Sequence, residues 1–221
     1  MDNRFSFHFY IGVSAVLFYS FAPNLNEPPK KAVEVLSSDS FNNVSSLSPH
    51  LVEAERNAVY SAVIEDMYLD SAKRLIIQKK NIICGEMDDS NSFRLDVAES
   101  AINELGLSSE IKADFLAKTT DCGVMNDGLA VPIAYKLISG KEMEILFPKE
   151  KPQNVLLFYA KYPNSRGLIS FSNIGFNPTL TLAFVYTENR CEPLCGKGSH
   201  VLLAKENGKW RVKSYIVDWK T

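Results

Sequence analysis

The 221-residue chain has few of the residues that build metal and redox centres, with only three histidines and four cysteines. The cysteines lack the C-x2-C spacing of zinc ribbons and thioredoxin-like centres, and the histidines lie far apart in the sequence. There is no G-x-S-x-G nucleophile motif and no complete glycine-rich phosphate loop. We therefore predict no metal site, no cofactor and no catalytic residue.

The chain also lacks an excess of charge of one sign. It has 24 basic and 26 acidic residues, for a net charge of −2. This balance excludes a strongly basic nucleic-acid-binding protein, so no nucleic-acid partner is predicted. The hydrophobic fraction of 46% is that of a globular protein. A chain of this length can bury a sizeable core without help from a metal or a disulfide.

One long uncharged segment stands near the N-terminus. Residues 5–22 read FSFHFYIGVSAVLFYSFA, which is long for the apolar core of a signal peptide and near the minimum for a membrane-spanning helix. We favour an uncleaved anchor over a cleaved signal peptide, and the alternative is a buried helix. The predicted organisation is a signal-anchor or signal peptide (1–22), a polar tether rich in Pro, Asn and Ser (23–48), and a single α+β domain (49–221). The protein is expected to be membrane-anchored or exported, on the periplasmic or extracellular face.

The four cysteines form an even number in a chain that is expected to be exported, which favours disulfides. Three pairings are possible. The short spacing favours Cys191–Cys195, which leaves Cys84–Cys122 as the second pair. The alternative is four reduced and buried thiols.

The first half of the predicted domain has helical periodicity. Ser48 and Pro49 are typical of a helix start, and apolar residues then recur along one helical stripe that includes Val59 and Val63. Further helices are expected over residues 95–105, from about residue 108, and over 154–162. Residues 74–84 predict one long strand or a pair of strands.

The last third of the chain alternates between apolar and polar residues, with turn signals between the segments. Strands are predicted over 167–174, 180–187, 199–205 and 209–219, and Asn207-Gly208 is a strong hairpin signal. The predicted fold class is therefore α+β, with N-terminal helices followed by a C-terminal four-stranded antiparallel β-meander. In the last strand Trp210 begins the apolar face, whereas Lys209 and Lys213 lie on the polar face. The alternation changes parity further along, which indicates a β-bulge or a second cover near Ser214.

One arrangement could in principle carry nucleophilic chemistry. Cys195 and His200 are close in sequence, and Glu188 could orient the imidazole. A disulfide at Cys195 would remove this nucleophile. The leading hypothesis is therefore a non-enzymatic binding or interaction domain, and the alternative is a small hydrolase or transferase that uses His200 with Cys195 or a carboxylate.

The C-terminal third, about residues 147–221, resembles uncharacterised bacterial exported proteins. The shared pattern is YPxSxG…SxxGF…AxVY…CxxLCGxG…VLLxKxxGKW, and its most specific part begins at Cys191. The resemblance implies no assigned reaction, ligand or partner, so it supplies no site residues.

Glycines and the Cys191–Cys195 pair concentrate in the segment between Tyr186 and Val201. Glycine permits unusual backbone conformations, and a small disulfide ring would fix the shape of a protruding loop. One interpretation is a recognition loop for an unknown protein or an envelope polymer, and the alternative is a loop that covers the sheet edge. Its candidate residues are Glu192, Pro193, Leu194, Gly196, Lys197, Gly198 and His200.

Overall fold

The computed structural model describes residues 48–69, 74–85, 89–148, 155–191 and 195–221. The predicted anchor and all of the predicted tether except Ser48 lie outside these ranges. Within the ranges, no helix is both long enough and apolar enough to cross a membrane.

A mixed β-sheet of seven strands forms the centre of the described fold. In chain order the strands are β1 (Arg74–Gln78), β2 (Tyr135–Ile138), β3 (Ser165–Phe171), β4 (Gly175–Phe176), β5 (Leu182–Arg190), β6 (Lys197–Glu206) and β7 (Lys209–Lys220). Their order across the sheet is β2-β1-β3-β5-β6-β7, and the short β4 pairs with β5. Strand β1 pairs in parallel with β2 and β3, whereas the remaining pairs are antiparallel.

The prediction of a four-stranded antiparallel β-meander is wrong, because the sheet has seven strands and two of its pairings are parallel. The four predicted segments form β3, β5, β6 and β7, but β3 is not an edge strand. Strand β1 pairs with the side of β3 that would be free in the predicted meander. The apolar centre of β1, Leu75–Ile77, is buried on both faces, as is typical of parallel strands. Parallel neighbours need long crossover connections, so their pairing cannot be read from local alternation.

Five helices accompany the sheet in the described residues: α1 (Pro49–Met67), α2 (Asp89–Glu104), α3 (Ser109–Ala117), α4 (Gly140–Leu146) and α5 (Val155–Lys161). Helix α1 covers one face of the sheet, which we call the α1 face. The predicted stripe is confirmed there, because Val59 and Val63 are fully buried against a core that includes Ile77, Val185 and Val201.

The opposite face carries two separate apolar clusters. Helices α2 and α3 pack around Phe184 and Tyr186 of β5. Helices α4 and α5 pack on Ile76 of β1 and Leu168 of β3. Because the two helix pairs cover different parts of the sheet, the surface between them is left as a cleft.

The parity change in β7 has the predicted cause. The register with β6 shifts between Leu202 and Leu203, so that Lys213 is the extra residue of a β-bulge. The bulge puts Tyr215 and Val217 on the same face as Trp210. Even-numbered residues before the bulge and the odd-numbered Tyr215 and Val217 after it therefore lie on the same face of the strand.

Two disulfides are present, and they join the predicted pairs. Cys84 is bonded to Cys122 with a Cα–Cα distance of 5.1 Å, and Cys191 is bonded to Cys195 with a Cα–Cα distance of 5.3 Å. Disulfides form and persist in oxidising compartments. The pairing thus indicates an oxidising, exported environment.

Candidate functional site

The floor of the cleft is built from alternate residues of three neighbouring strands. Ser170 of β3 lies opposite Glu188 of β5, and Leu168 lies opposite Arg190. Opposite residues in an antiparallel pair share a face, so all four side chains lie on the floor. Gln78 of β1 joins them, because Ser170 Oγ donates a hydrogen bond to Gln78 Oε1 at 3.0 Å.

The walls of the cleft differ in character. Helix α2 contributes the guanidinium of Arg94. The opposite side, around α4 and α5, is apolar and aromatic, and it is formed by Met143, Phe147, Val155, Phe158 and Tyr159. The enclosed volume is about 410 Å³, which lies within the range of small-molecule binding sites.

Glu188 is the central polar residue of the cleft and is only 2% exposed. Arg190 Nε donates a hydrogen bond to Glu188 Oε1 at 2.8 Å, and Tyr186 Oη donates one to Glu188 Oε2 at 3.1 Å. Arg94 Nη2 lies 3.7 Å from the same Oε2 atom. A buried carboxylate is costly unless it is paired and hydrogen-bonded, so these contacts explain how Glu188 is accommodated.

A second set of contacts supports Glu188 from the sheet side. Trp219 Nε1 donates to Tyr186 Oη at 2.8 Å, which leaves the tyrosine proton for Glu188. Burial raises the pKa of Tyr186, and the Glu188 carboxylate raises it further, so the phenol stays protonated and remains a donor. Burial also raises the pKa of Asp218, whereas Arg94 lowers it and Glu188 raises it. Asp218 therefore lies within the electrostatic reach of this network.

The cleft thus has a charged end and an apolar end. The charged end places two guanidinium groups around one buried carboxylate, and the apolar end presents aromatic rings and methyl groups. Its described lining contains neither histidine nor cysteine, and the one hydroxyl on the floor donates to Gln78 rather than to a base. Such a surface is suited to holding an amphipathic molecule.

The structure does not assemble the predicted combination of Cys195, His200 and Glu188. Cys195 is bonded to Cys191 and has no thiol. His200 is 1% exposed, and its ring lies 4.8 Å from that of Tyr186 and 5.7 Å from that of Phe184, measured between ring centres. Neither of its ring nitrogens has a hydrogen-bond partner among the described residues. Burial lowers the pKa of His200 to about 4, so the imidazole is neutral at pH 7.

The predicted recognition loop is only partly described, because residues 192–194 lie outside the described ranges. Gly196 and Gly198 are buried, and a Cβ atom at Gly198 would overlap Trp219 Nε1 and Tyr186 Oη. These glycines allow the close approach of Trp219. Lys197 is partly exposed, with its Nζ 4.4 Å from the centre of the Tyr215 ring. Recognition by this loop stays a prediction.

Sequence reasoning singled out Glu188 but missed the other polar residues of the cleft: Gln78, Arg94, Ser170 and Arg190. The sequence of β5 contains one signal that indicates Arg190. In β5, Glu188 and Arg190 continue the alternation of Phe184 and Tyr186, so two charged residues share a strand face with buried aromatics. Within the described parts of the chain, no three His, Cys, Asp or Glu side chains converge as a metal site would require.

Comparison with family models, curated proteins and solved structures finds no match for this chain.

Proposed function

We propose that this protein is an exported, non-enzymatic binding protein, and that its ligand occupies the cleft between α2 and the α4–α5 pair. Residues 5–22 hold it at the membrane, with the described domain on the periplasmic or extracellular side. The observation that carries the proposal is the buried carboxylate of Glu188, which fixes Arg190 and faces Arg94 at the end of an apolar-walled cavity.

Two features support binding rather than catalysis. Hydrogen bonds join Arg190 to Glu188 and Ser170 to Gln78, and a preformed polar network beside an apolar wall is the usual construction of a ligand site. The hydroxyl on the cleft floor, Ser170 Oγ, also donates its hydrogen bond to the amide oxygen of Gln78 and not to a base that could activate it. Recognition of a protein or an envelope polymer through the predicted recognition loop involves residues 192–194, which lie outside the described ranges, so the cleft is the better-supported site.

The test is a ligand-observed NMR titration of the full-length oxidised protein with three small amphiphiles of equal chain length: hexanol, hexanoate and hexylamine. The proposal predicts that at least one of them binds the wild-type protein. Met143→Trp, on the cleft side of α4, should fill the cavity and abolish binding. Ile145→Trp is the matched control, because Ile145 lies on the same helix and is 68% exposed.

Both variants are first compared with the wild type by near-UV circular dichroism, and Val155→Trp replaces Met143→Trp if the latter does not fold. Binding that survives in a folded, cavity-filled variant contradicts the proposal. Absence of binding by all three amphiphiles to the wild-type protein also contradicts it.

A further inference from the structure

We infer that the ligand of this cleft is a small carboxylic acid with an apolar body, and that its carboxylate binds between Arg94 and Arg190. This inference rests on the proposed function and specifies the ligand chemistry of the same site.

Among the side chains that line the cleft, positive charges outnumber negative charges by one, and Asp218, which lies outside this lining, offsets part of the positive charge of Arg94. The charged groups of the lining are the guanidinium groups of Arg94 and Arg190 and the carboxylate of Glu188. Two guanidinium groups disfavour a cationic ligand. A single excess charge at a partly enclosed site favours a monoanion over a dianion, because the second charge of a dianion would be buried without a partner.

The hydrogen-bonding capacity of the two arginines is not used up by Glu188. A guanidinium has five N–H donors. Arg190 uses Nε on Glu188, and its side chain lines the cleft and is 57% exposed, so its terminal amino groups are accessible to a ligand. Arg94 lies 3.7 Å from Glu188, which is beyond hydrogen-bonding distance. A ligand carboxylate can accept from both groups, and paired N–H donors match its two oxygens.

The apolar wall determines the rest of the ligand. Met143 and Phe158 face the cleft from α4 and α5, and Leu168 forms the adjoining floor. A cavity of about 410 Å³ has room for a short alkyl chain or an aromatic ring. Burial of such a group is favoured in proportion to the apolar surface that it removes from water. The carboxylate orients the ligand, and the apolar body contributes the burial energy.

Substitution of Asp218 gives a second test of whether the ligand is negatively charged. Asp218 lies within electrostatic reach of Arg94 and Glu188, so its carboxylate competes with a ligand anion for Arg94. Replacement of Asp218 by Asn should therefore strengthen the binding of an acid and leave the binding of an alcohol unchanged.

The experiment measures dissociation constants for the same three amphiphiles with the full-length oxidised protein. Hexanoate should bind at least about tenfold more tightly than hexanol, which is the contribution of one hydrogen bond to a charged group. Hexylamine should bind more weakly than hexanol. Arg94→Gln should remove the advantage of hexanoate and leave hexanol unaffected, and Asp218→Asn should tighten hexanoate alone. Arg211→Gln is the matched control, since Arg211 is exposed and does not line the cleft.

Equal affinities for hexanoate and hexanol, or an equal loss of both in Arg94→Gln, would overturn the inference while leaving the proposed function standing. Loss of the proposed function is a different result, namely no binding by any amphiphile or undiminished binding in Met143→Trp. A dipeptide that ends in Phe and its C-terminal amide provide a further comparison. If the peptide acid binds and hexanoate does not, the carboxylate belongs to a peptide terminus and the small-acid assignment is wrong.

Discussion

His200 should make the stability of this protein depend on pH. Its imidazole is buried between Phe184 and Tyr186, and burial lowers its pKa from 6.5 to about 4. Between these two pH values the unfolded chain binds a proton at this residue and the folded chain does not. The contribution of the neutral imidazole to stability is therefore complete above pH 6.5 and is lost as the pH falls towards 4. A pKa shift of this size corresponds to about 3 kcal/mol in the free energy of unfolding.

The perturbation is His200→Phe, which keeps an aromatic ring at this position and removes the titrating group. The free energy of unfolding is measured by urea denaturation from pH 4 to pH 8. Other groups titrate over this range, so the measured quantity is the difference between variant and wild type at each pH. This difference should move by about 3 kcal/mol in favour of the variant between pH 7 and pH 4.

The matched control is His50→Phe, because His50 is exposed in the first turn of α1. This variant is measured over the same pH range, so that an effect common to any change from histidine to phenylalanine is separated from the effect at residue 200. Any misfit of the phenylalanine ring at residue 200 adds a constant offset and leaves the pH dependence intact. If the curves of the wild type and His200→Phe run parallel from pH 8 to pH 4, the reasoning about the buried imidazole is refuted.

Three further expectations concern the fold and the location of the protein. Trp210→Ala should lower the free energy of unfolding by about 3–5 kcal/mol in urea denaturation, because Trp210 lies in the core and is only 5% exposed. Lys213→Ala should change it little, because Lys213 is exposed, and equal effects of the two substitutions would show that the strand faces are wrongly assigned. Replacement of Cys84 and Cys122 by serine should lower the free energy of unfolding by about 4 kcal/mol, and replacement of Cys191 and Cys195 should lower it by about 2 kcal/mol, because the first disulfide closes a longer loop. A larger loss for the second pair would contradict this account, which is based on the entropy of loop closure. The full-length chain should sediment with membranes and resist carbonate extraction, and recovery in the soluble fraction would contradict anchoring by residues 5–22.

Local features of the fold could be read from the sequence because short-range chemistry determines them. Asn207 and Gly208 have φ values of 50° and 77°, as a two-residue hairpin turn requires, and the sequence predicts this turn. The stripe of Val59 and Val63 on α1 is a similar case. The change in the alternation of apolar and polar residues along β7 predicts its bulge. Each of these features depends on neighbours within a few positions.

The wider architecture depends on pairings between distant segments. The placement of β1 between β2 and β3 brings residue 76 beside residues 136 and 168, and no local periodicity specifies this order. The same limitation applies to the cleft. The sequence predicts that Glu188 orients His200, yet the charged neighbours of Glu188 are Arg190 on its own strand and Arg94 from a distant helix. The position of helix α2, which no local pattern specifies, determines that Arg94 lies beside Glu188.

The position of a bound acid tests the central claim most directly. Crystals of the oxidised protein are soaked with 4-bromobenzoate, and the bromine is located by anomalous diffraction. We predict a bromine peak between Met143 and Phe158, with the carboxylate directed towards Arg94 and Arg190. A bromine peak only on the α1 face or on the outer surface of the protein, with the cleft empty, would contradict the account.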